Sequence, residues 1–145
     1  MNRSDRIKAL GRIGEEVNRQ YLELQGHTVI MSDDQFDSIK DMTADGLTVE
    51  TKTLVKIKKY NAFCLGSSQS RKCEEVDRLF FIEIPTLPDD GIKIWESLKP
   101  RKYFEQFFNG DNCRMYSLDS LLLCSIVYNI EQSTLLCELS PSKYR

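Results

Sequence analysis

The sequence predicts a single α/β domain, and three observations carry that expectation: a helical apolar stripe near the N-terminus, two strand-like runs joined by Asp45-Gly46, and the apolar run Leu79 to Ile84. From Ser4 to Gly26, Ile7, Leu10, Val17, Tyr21 and Leu24 recur at steps of three, seven, four and three, which is one buried face of a helix. Gly26 supplies the stop, because glycine accepts the left-handed conformation that ends many helices. His27 to Met31 follows as a short strand and DDQFDSIKD as a polar loop. Asp41 to Ala44 and Leu47 to Val55 then read as a hairpin, since Asp-Gly tolerates the positive φ that a two-residue turn demands.

Tyr60 to Leu65 is expected to be a strand, and GSSQSRKCEEVD a loop with at most a helical turn. LFFIEI is a buried strand ended by Pro85, and Ile92 to Trp95 one more short strand. In PRKYFEQFFNG the aromatics Tyr103, Phe104, Phe107 and Phe108 have helical spacing, and SLDSLLLCSIV reads as a second helix capped by Ser117. Helices are thus expected over about 97–127, with a weakly specified tail from Tyr128. The whole is one domain, residues 1–145, with a central mixed sheet built around the hairpin and flanked by helices.

Composition narrows the function. The chain has 145 residues, enough for one core, and 20 basic against 22 acidic side chains give a net charge of −2. That balance speaks against a protein that coats nucleic acid through bulk positive charge. No apolar run approaches the roughly 18–20 residues of a membrane span, and the charged N-terminus does not read as a signal sequence. Five cysteines (Cys64, Cys73, Cys113, Cys124, Cys137) with no C-x-x-C pair point to reduced thiols rather than a metal cluster or a disulfide framework. These features together lead us to expect a cytoplasmic, reducing, intracellular setting.

The hairpin has a geometric consequence. With Asp45 and Gly46 as loop residues, Ala44 faces Leu47, Thr43 faces Thr48, Met42 faces Val49 and Asp41 faces Glu50. Alternation places Met42, Ala44, Leu47 and Val49 on an apolar face and Asp41, Thr43, Thr48, Glu50 and Lys52 on the other. Two directly opposed carboxylates repel one another. Either Lys52 offsets them in a structural charge cluster, or a divalent cation sits between them. Charge is also segregated: residues 32–50 hold six acids and one base, residues 51–78 seven bases and three acids.

The segment DMTADGLTVETK resembles the active-site hairpin of the PD-(D/E)XK nuclease superfamily, an Asp on one strand, a tight turn, and E-x-K on the next. Upstream, GRIGEEVNRQYLELQGHTV is similar to the G-x-x-G-E helix of many members, and downstream SSQSRKCEEVDRLFFIEI looks like the following element with Gln and Lys before a buried strand. The likeness covers residues 10–84, and Lys40 stands where the family pattern has a proline. It implies a restriction-endonuclease-like fold and a Mg²⁺- or Mn²⁺-dependent DNA endonuclease. Asp41, Glu50 and Glu15 would be metal ligands together with the carbonyl of Thr51, and Lys52 the catalytic lysine. Gln69 and Lys72 would lie near the scissile phosphate. Glu16 competes with Glu15, and Asp37 is a stand-in for Asp41.

Beside that resemblance, the basic stretch offers Lys56, Lys58, Lys59, Arg71 and Lys72 as phosphate contacts. His27, Trp95 and the Tyr103–Phe108 aromatics read more simply as structural or as a dimer surface, while Arg101 and Lys102 could touch DNA although nothing singles them out. The expected partners are DNA and a second copy of the chain, since cutting two strands takes two sites, with no membrane. The readings left open are a branched-DNA resolvase, a homing or restriction-like enzyme, a binding module of the same fold without turnover, and an RNA substrate.

Overall fold

The computed structural model describes residues 1–32 and 42–140. Helix α1 (Arg3–Leu24) starts at Asn2, whose side chain accepts the Asp5 N–H at 2.8 Å. It ends as expected at Gly26, which takes φ +92° while the Gly26 and His27 N–H groups donate to Glu23 O and Leu22 O. Strands β1 (Val29–Met31), β2 (Met42–Ala44) and β3 (Leu47–Leu54) then run as an antiparallel meander. Asp45 and Gly46 both have positive φ, 51° and 83°, and the pairs are Ala44 with Leu47, Thr43 with Thr48, and Met42 with Val49, the register expected from the turn. The expected polar loop, and with it Asp37 and Asp41, lies outside the described residues.

Strand β4 (Ala62–Leu65) and helix α2 (Ser67–Glu74) lead to β5 (Arg78–Glu83), which returns parallel to β3. After β6 (Ile92–Ser97) come β7 (Phe104–Phe108), β8 (Asp111–Ser117), β9 (Leu122–Val127) and α3 (Ile130–Leu139). The result is a six-stranded mixed sheet ordered β1-β2-β3-β5-β6-β9 and a three-stranded sheet ordered β4-β8-β7. Helices α1 and α3 cover one face of the large sheet, and the small sheet with α2 covers the other.

Strand β5 shows how two cores arise from one run of apolar residues. Phe80 and Ile82 join Leu10, Val17, Leu22, Val49 and Leu136 under the α1–α3 layer, while Leu79 and Phe81 join Phe63, Leu65, Val76 and Tyr116 under the small sheet. Phe63 stacks on Phe81 with ring centroids 5.0 Å apart. A strand buried on both faces reads as a continuous apolar run, which is why LFFIEI stands out in the sequence.

Four expectations are corrected. GSSQSRKCEEVD contains a two-turn helix, α2, rather than a loop with a helical turn. PRKYFEQFFNG forms strand β7 instead of a helix: Asn109 and Gly110 take φ 52° and 76° and fold it back onto β8, with Phe108 opposite Asp111 and Phe104 opposite Met115. SLDSLLLCSIV is one 3₁₀ turn, Leu118–Ser120, which Ser117 does cap, followed by strand β9. Pairing with β9 satisfies the outer backbone groups of β6, a demand set by a segment some thirty residues away. The C-terminal helix lies beyond 97–127, at Ile130–Leu139, capped by Asn129.

Helix α1 approaches β3 closely because position 14 lacks a side chain. A Cβ on Gly14 would lie 1.7 Å from Thr53 Oγ1 and 2.8 Å from Thr53 Cβ. Gly14→Ala should destabilise the domain by about 1–3 kcal/mol, the usual cost of overpacking, with partial recovery in Gly14→Ala/Thr53→Ala, as read from urea unfolding.

Three carboxylates fasten loops to the sheets. Asp45 accepts from His27 (2.6 Å) and the Thr28 N–H, Asp77 from the Thr48 N–H and hydroxyl, and Asp111 from the Ser67 N–H at the start of α2. These hydrogen bonds, to His27 first for Asp45 and to backbone amides first for the other two, hold all three carboxyls below their ordinary range. Groups depressed in the folded state contribute stability that is present above the unfolded carboxylate pKa and lost as pH falls through the folded one. Asp111→Asn should therefore lower the urea midpoint at pH 7 and flatten its decline towards pH 3, the two proteins converging in acid.

Candidate active site

Strand β3 separates its side chains by alternation. Val49, Thr51 and Thr53 face α1: Val49 packs with the helix core, Thr51 Oγ1 accepts from Asn18 Nδ2 at 3.0 Å, and Thr53 meets Gly14. Glu50 and Lys52 leave by the opposite face, in register with Leu79 and Phe81 of β5, on the side of the small sheet. Their side chains are brought together, Lys52 Nζ lying 2.9 Å from Glu50 Oε1. The Glu50 side chain is only 8 % exposed and that of Lys52 19 %. A carboxylate so shielded from water is tolerable because a cation stands against it.

Asp41 lies outside the described residues, so its pairing with Glu50 is not described. Glu15 is half-buried on α1, on the ridge that also carries Asn18 and Leu22, and therefore on the helix that covers the face of β3 opposite Glu50. Glu16 belongs to another ridge. It forms an ion pair with Arg19, which also pairs with Glu23 at 2.8 Å, and it accepts from Gln20. The Arg19 hydrogen bond holds the Glu16 carboxyl below its usual range.

The candidate phosphate contacts are spread over two elements. Lys56, Lys58 and Lys59 occupy the turn between β3 and β4, where Asn61 at φ 48° closes the chain reversal and Lys59 lies over the Tyr60 ring. Arg71 and Lys72 are exposed on α2. Gln69 opens onto a groove at the end of the large sheet, whereas Arg71 opens onto a different depression with Glu105 and Arg114. Arg78, counted in the basic stretch, is committed elsewhere: it grips Glu96 through two bonds of 2.8 and 2.9 Å, which raise its pKa. His27 serves Asp45 in the turn and Trp95 donates to Glu83, structural duties in both cases.

Hard oxygen donors suit Mg²⁺ or Mn²⁺, which need few protein carboxylates because water and phosphate complete the shell. Glu50 is such a donor, and among the described residues no three His, Cys, Asp or Glu side chains form a cluster able to hold a metal alone. All five cysteines are free of disulfides, and burial pushes the Cys64 thiol up to about 12. No helix among the described residues is long and apolar enough to cross a membrane. Compared with protein-family models, with curated proteins and with solved structures, the chain has no match.

Asn18 escaped the sequence reading. It is fully buried, tied to Thr51, with its Oδ1 lacking a hydrogen-bond partner among the described residues. Its signal was available: an amide inside the apolar stripe, four residues after Gly14. For the Glu50–Lys52 pair, a double-mutant cycle of Glu50→Gln and Lys52→Met should give a coupling of about 1–3 kcal/mol in urea unfolding, with Lys52→Met the more costly single change because it takes the cation away from a shielded carboxylate.

Proposed function

We propose that the protein is a metal-dependent DNA endonuclease of the PD-(D/E)XK type, hydrolysing phosphodiester bonds at a site centred on Glu50 and Lys52. The observation that carries this reading is the shielded Glu50–Lys52 pair, which places an acid and a base of the E-x-K motif on one face of the strand that follows a tight Asp-Gly hairpin. A fold that merely needed a strand there would fill that face with apolar side chains, as it does with Leu54 two residues on.

In this reading Glu50, the Thr51 carbonyl and Asp41 would hold the cation; Glu15, the helix ligand the motif implies, sits on α1 against the other face of β3, and Glu16 is engaged with Arg19. A bound Mg²⁺ would lower the pKa of a coordinated water and neutralise charge on the phosphate. With Glu50 holding the cation, the Lys52 ammonium would orient the attacking water and supply positive charge where negative charge grows in the transition state. Gln69, Arg71 and Lys72 on α2, with Lys56, Lys58 and Lys59 on the neighbouring turn, supply contacts to flanking phosphates. Cleavage of both strands of a duplex would use two copies of the chain.

The test is incubation with Mg²⁺ or Mn²⁺ and linear duplex, supercoiled plasmid, four-way junction, single-stranded DNA and RNA. Metal-dependent cleavage should fall by a factor of about 10² or more in Glu50→Ala and in Lys52→Ala while both variants stay folded. Junction-selective nicking indicates a resolvase, discrete plasmid fragments a site-specific homing or restriction-like enzyme. Wild-type rates in either variant overturn the assignment. The closed Glu50–Lys52 pair also favours a second reading, a binding module that keeps the pair as a structural cluster, and metal-independent binding without cleavage of any substrate would select it. Under the nuclease reading, replacing Lys56, Lys58 and Lys59 with Gln should reduce the slope of log affinity against log salt by about two to three.

A further inference from the structure

Among the described residues the parallel pair of the large sheet is β3 with β5, and beyond its carboxyl ends lies a groove of about 690 Å³. In open α/β sheets that position is the usual place for a ligand, and the volume is that of a small-molecule site. Two helices direct their first turns at it: α1 contributes Arg3 and Arg6, and α2 contributes Gly66, Ser68 and Gln69. Helix N-termini favour negative charge, and neither Arg3 nor Arg6 forms an ion pair among the described residues.

A second, independent observation points to a polar ligand. Arg6 Nε and Ser140 Oγ belong to residues lining this groove, and both atoms are buried without a hydrogen-bond partner among the described residues. Ser140 itself is 3 % exposed. Buried polar atoms are nearly always partnered, so two beside one groove leave bonding capacity that a ligand there could take up once the side chains turn to it. Among the described residues the carboxylate of the wall is Asp111, which accepts a hydrogen bond from the Ser67 amide.

The remaining lining defines the rest of the ligand. Ile7, Leu54, Val55 and Ile57 form an apolar wall, and Phe108 adds an aromatic ring held edge-on by Tyr60. Gln69 and Asn109 place carboxamides at the rim, groups that both donate and accept and so suit the edge of a base.

We propose that this groove binds a nucleotide, its phosphate on Arg3 and Arg6 and its base against the apolar wall and Phe108. The inference deepens the nuclease reading, which it rests on for the source of the nucleotide, a free mononucleotide or the phosphorylated end of a strand. It is separate from the Glu50–Lys52 pair, which does not line the groove.

The test is isothermal titration of the full chain, without metal, with deoxynucleoside 5′-monophosphates, the matching nucleosides, inorganic phosphate, and a short single-stranded oligonucleotide with or without a 5′-phosphate. A monophosphate or the 5′-phosphorylated oligonucleotide should bind, more tightly than nucleoside or phosphate alone. Arg3→Gln/Arg6→Gln should weaken that binding by about tenfold or more, and Lys52→Ala should leave it unchanged. Binding of the phosphorylated oligonucleotide alone identifies a strand end as the occupant. Failure of both probes to bind, equal binding of inorganic phosphate, or affinity indifferent to the two arginines overturns the proposal. Arginine-dependent nucleotide binding by a protein that cleaves nothing would sink the nuclease reading and leave this site standing.

Discussion

The close approach of α1 to β3 is the constraint on which the rest of the structure depends. Gly14 lets the helix backbone settle against Thr53, and one turn later Asn18 reaches Thr51, so helix and strand are fixed in both separation and sliding position. Because β3 alternates, anchoring Val49, Thr51 and Thr53 under the helix forces Glu50 and Lys52 to the other face. A one-residue slip of β3 would exchange the two sets and bury the charged pair beneath α1. The same anchoring brings the start of α1, with Arg3 and Arg6, to the carboxyl end of the strand, where the groove opens.

The two faces of β3 serve different ends. One is ordinary core, stabilised by apolar packing with a single buried amide. The other carries an ion pair whose desolvation is offset by the proximity of its members and which a well-packed apolar pair would replace without loss of stability. That contrast is the physical basis for reading the pair as functional. It also explains why Arg78–Glu96, equally well paired and likewise buried on the acid side, is assigned a structural part: it lies on β5 and β6, and its guanidinium is spent on both carboxylate oxygens.

Legibility of the sequence followed the range of the interactions. The α1 stop at Gly26, the Asp45-Gly46 turn and the buried run of β5 were readable because each rests on a few adjacent residues. Asn109-Gly110 is the same kind of turn and carried the same signal, yet the aromatic spacing of Tyr103 to Phe108 suited a helix as well, and a short window does not choose between them. Strand β9 was hidden for a different reason. Leu122 to Val127 is apolar enough for either element, and only the open edge of β6 makes it a strand. Of the candidate site, Glu50 and Lys52 were legible from spacing. Their burial, the buried Asn18 amide and the separation of Gln69 from Arg71 were not, because each depends on which distant segments cover them.

By itself the sequence determined one helix, the hairpin and its register, since a two-residue turn with two positive φ angles fixes every later pair through covalent geometry. Tertiary structure alone decided that Phe104–Phe108, Asp111–Ser117 and Leu122–Val127 are strands, that Arg78 belongs to Glu96, and that two helix N-termini and two arginines without an ion pair among the described residues converge at the end of the parallel strands. Those outcomes turn on hydrogen-bond pairing and packing between segments tens of residues apart, for which no local pattern encodes the partner.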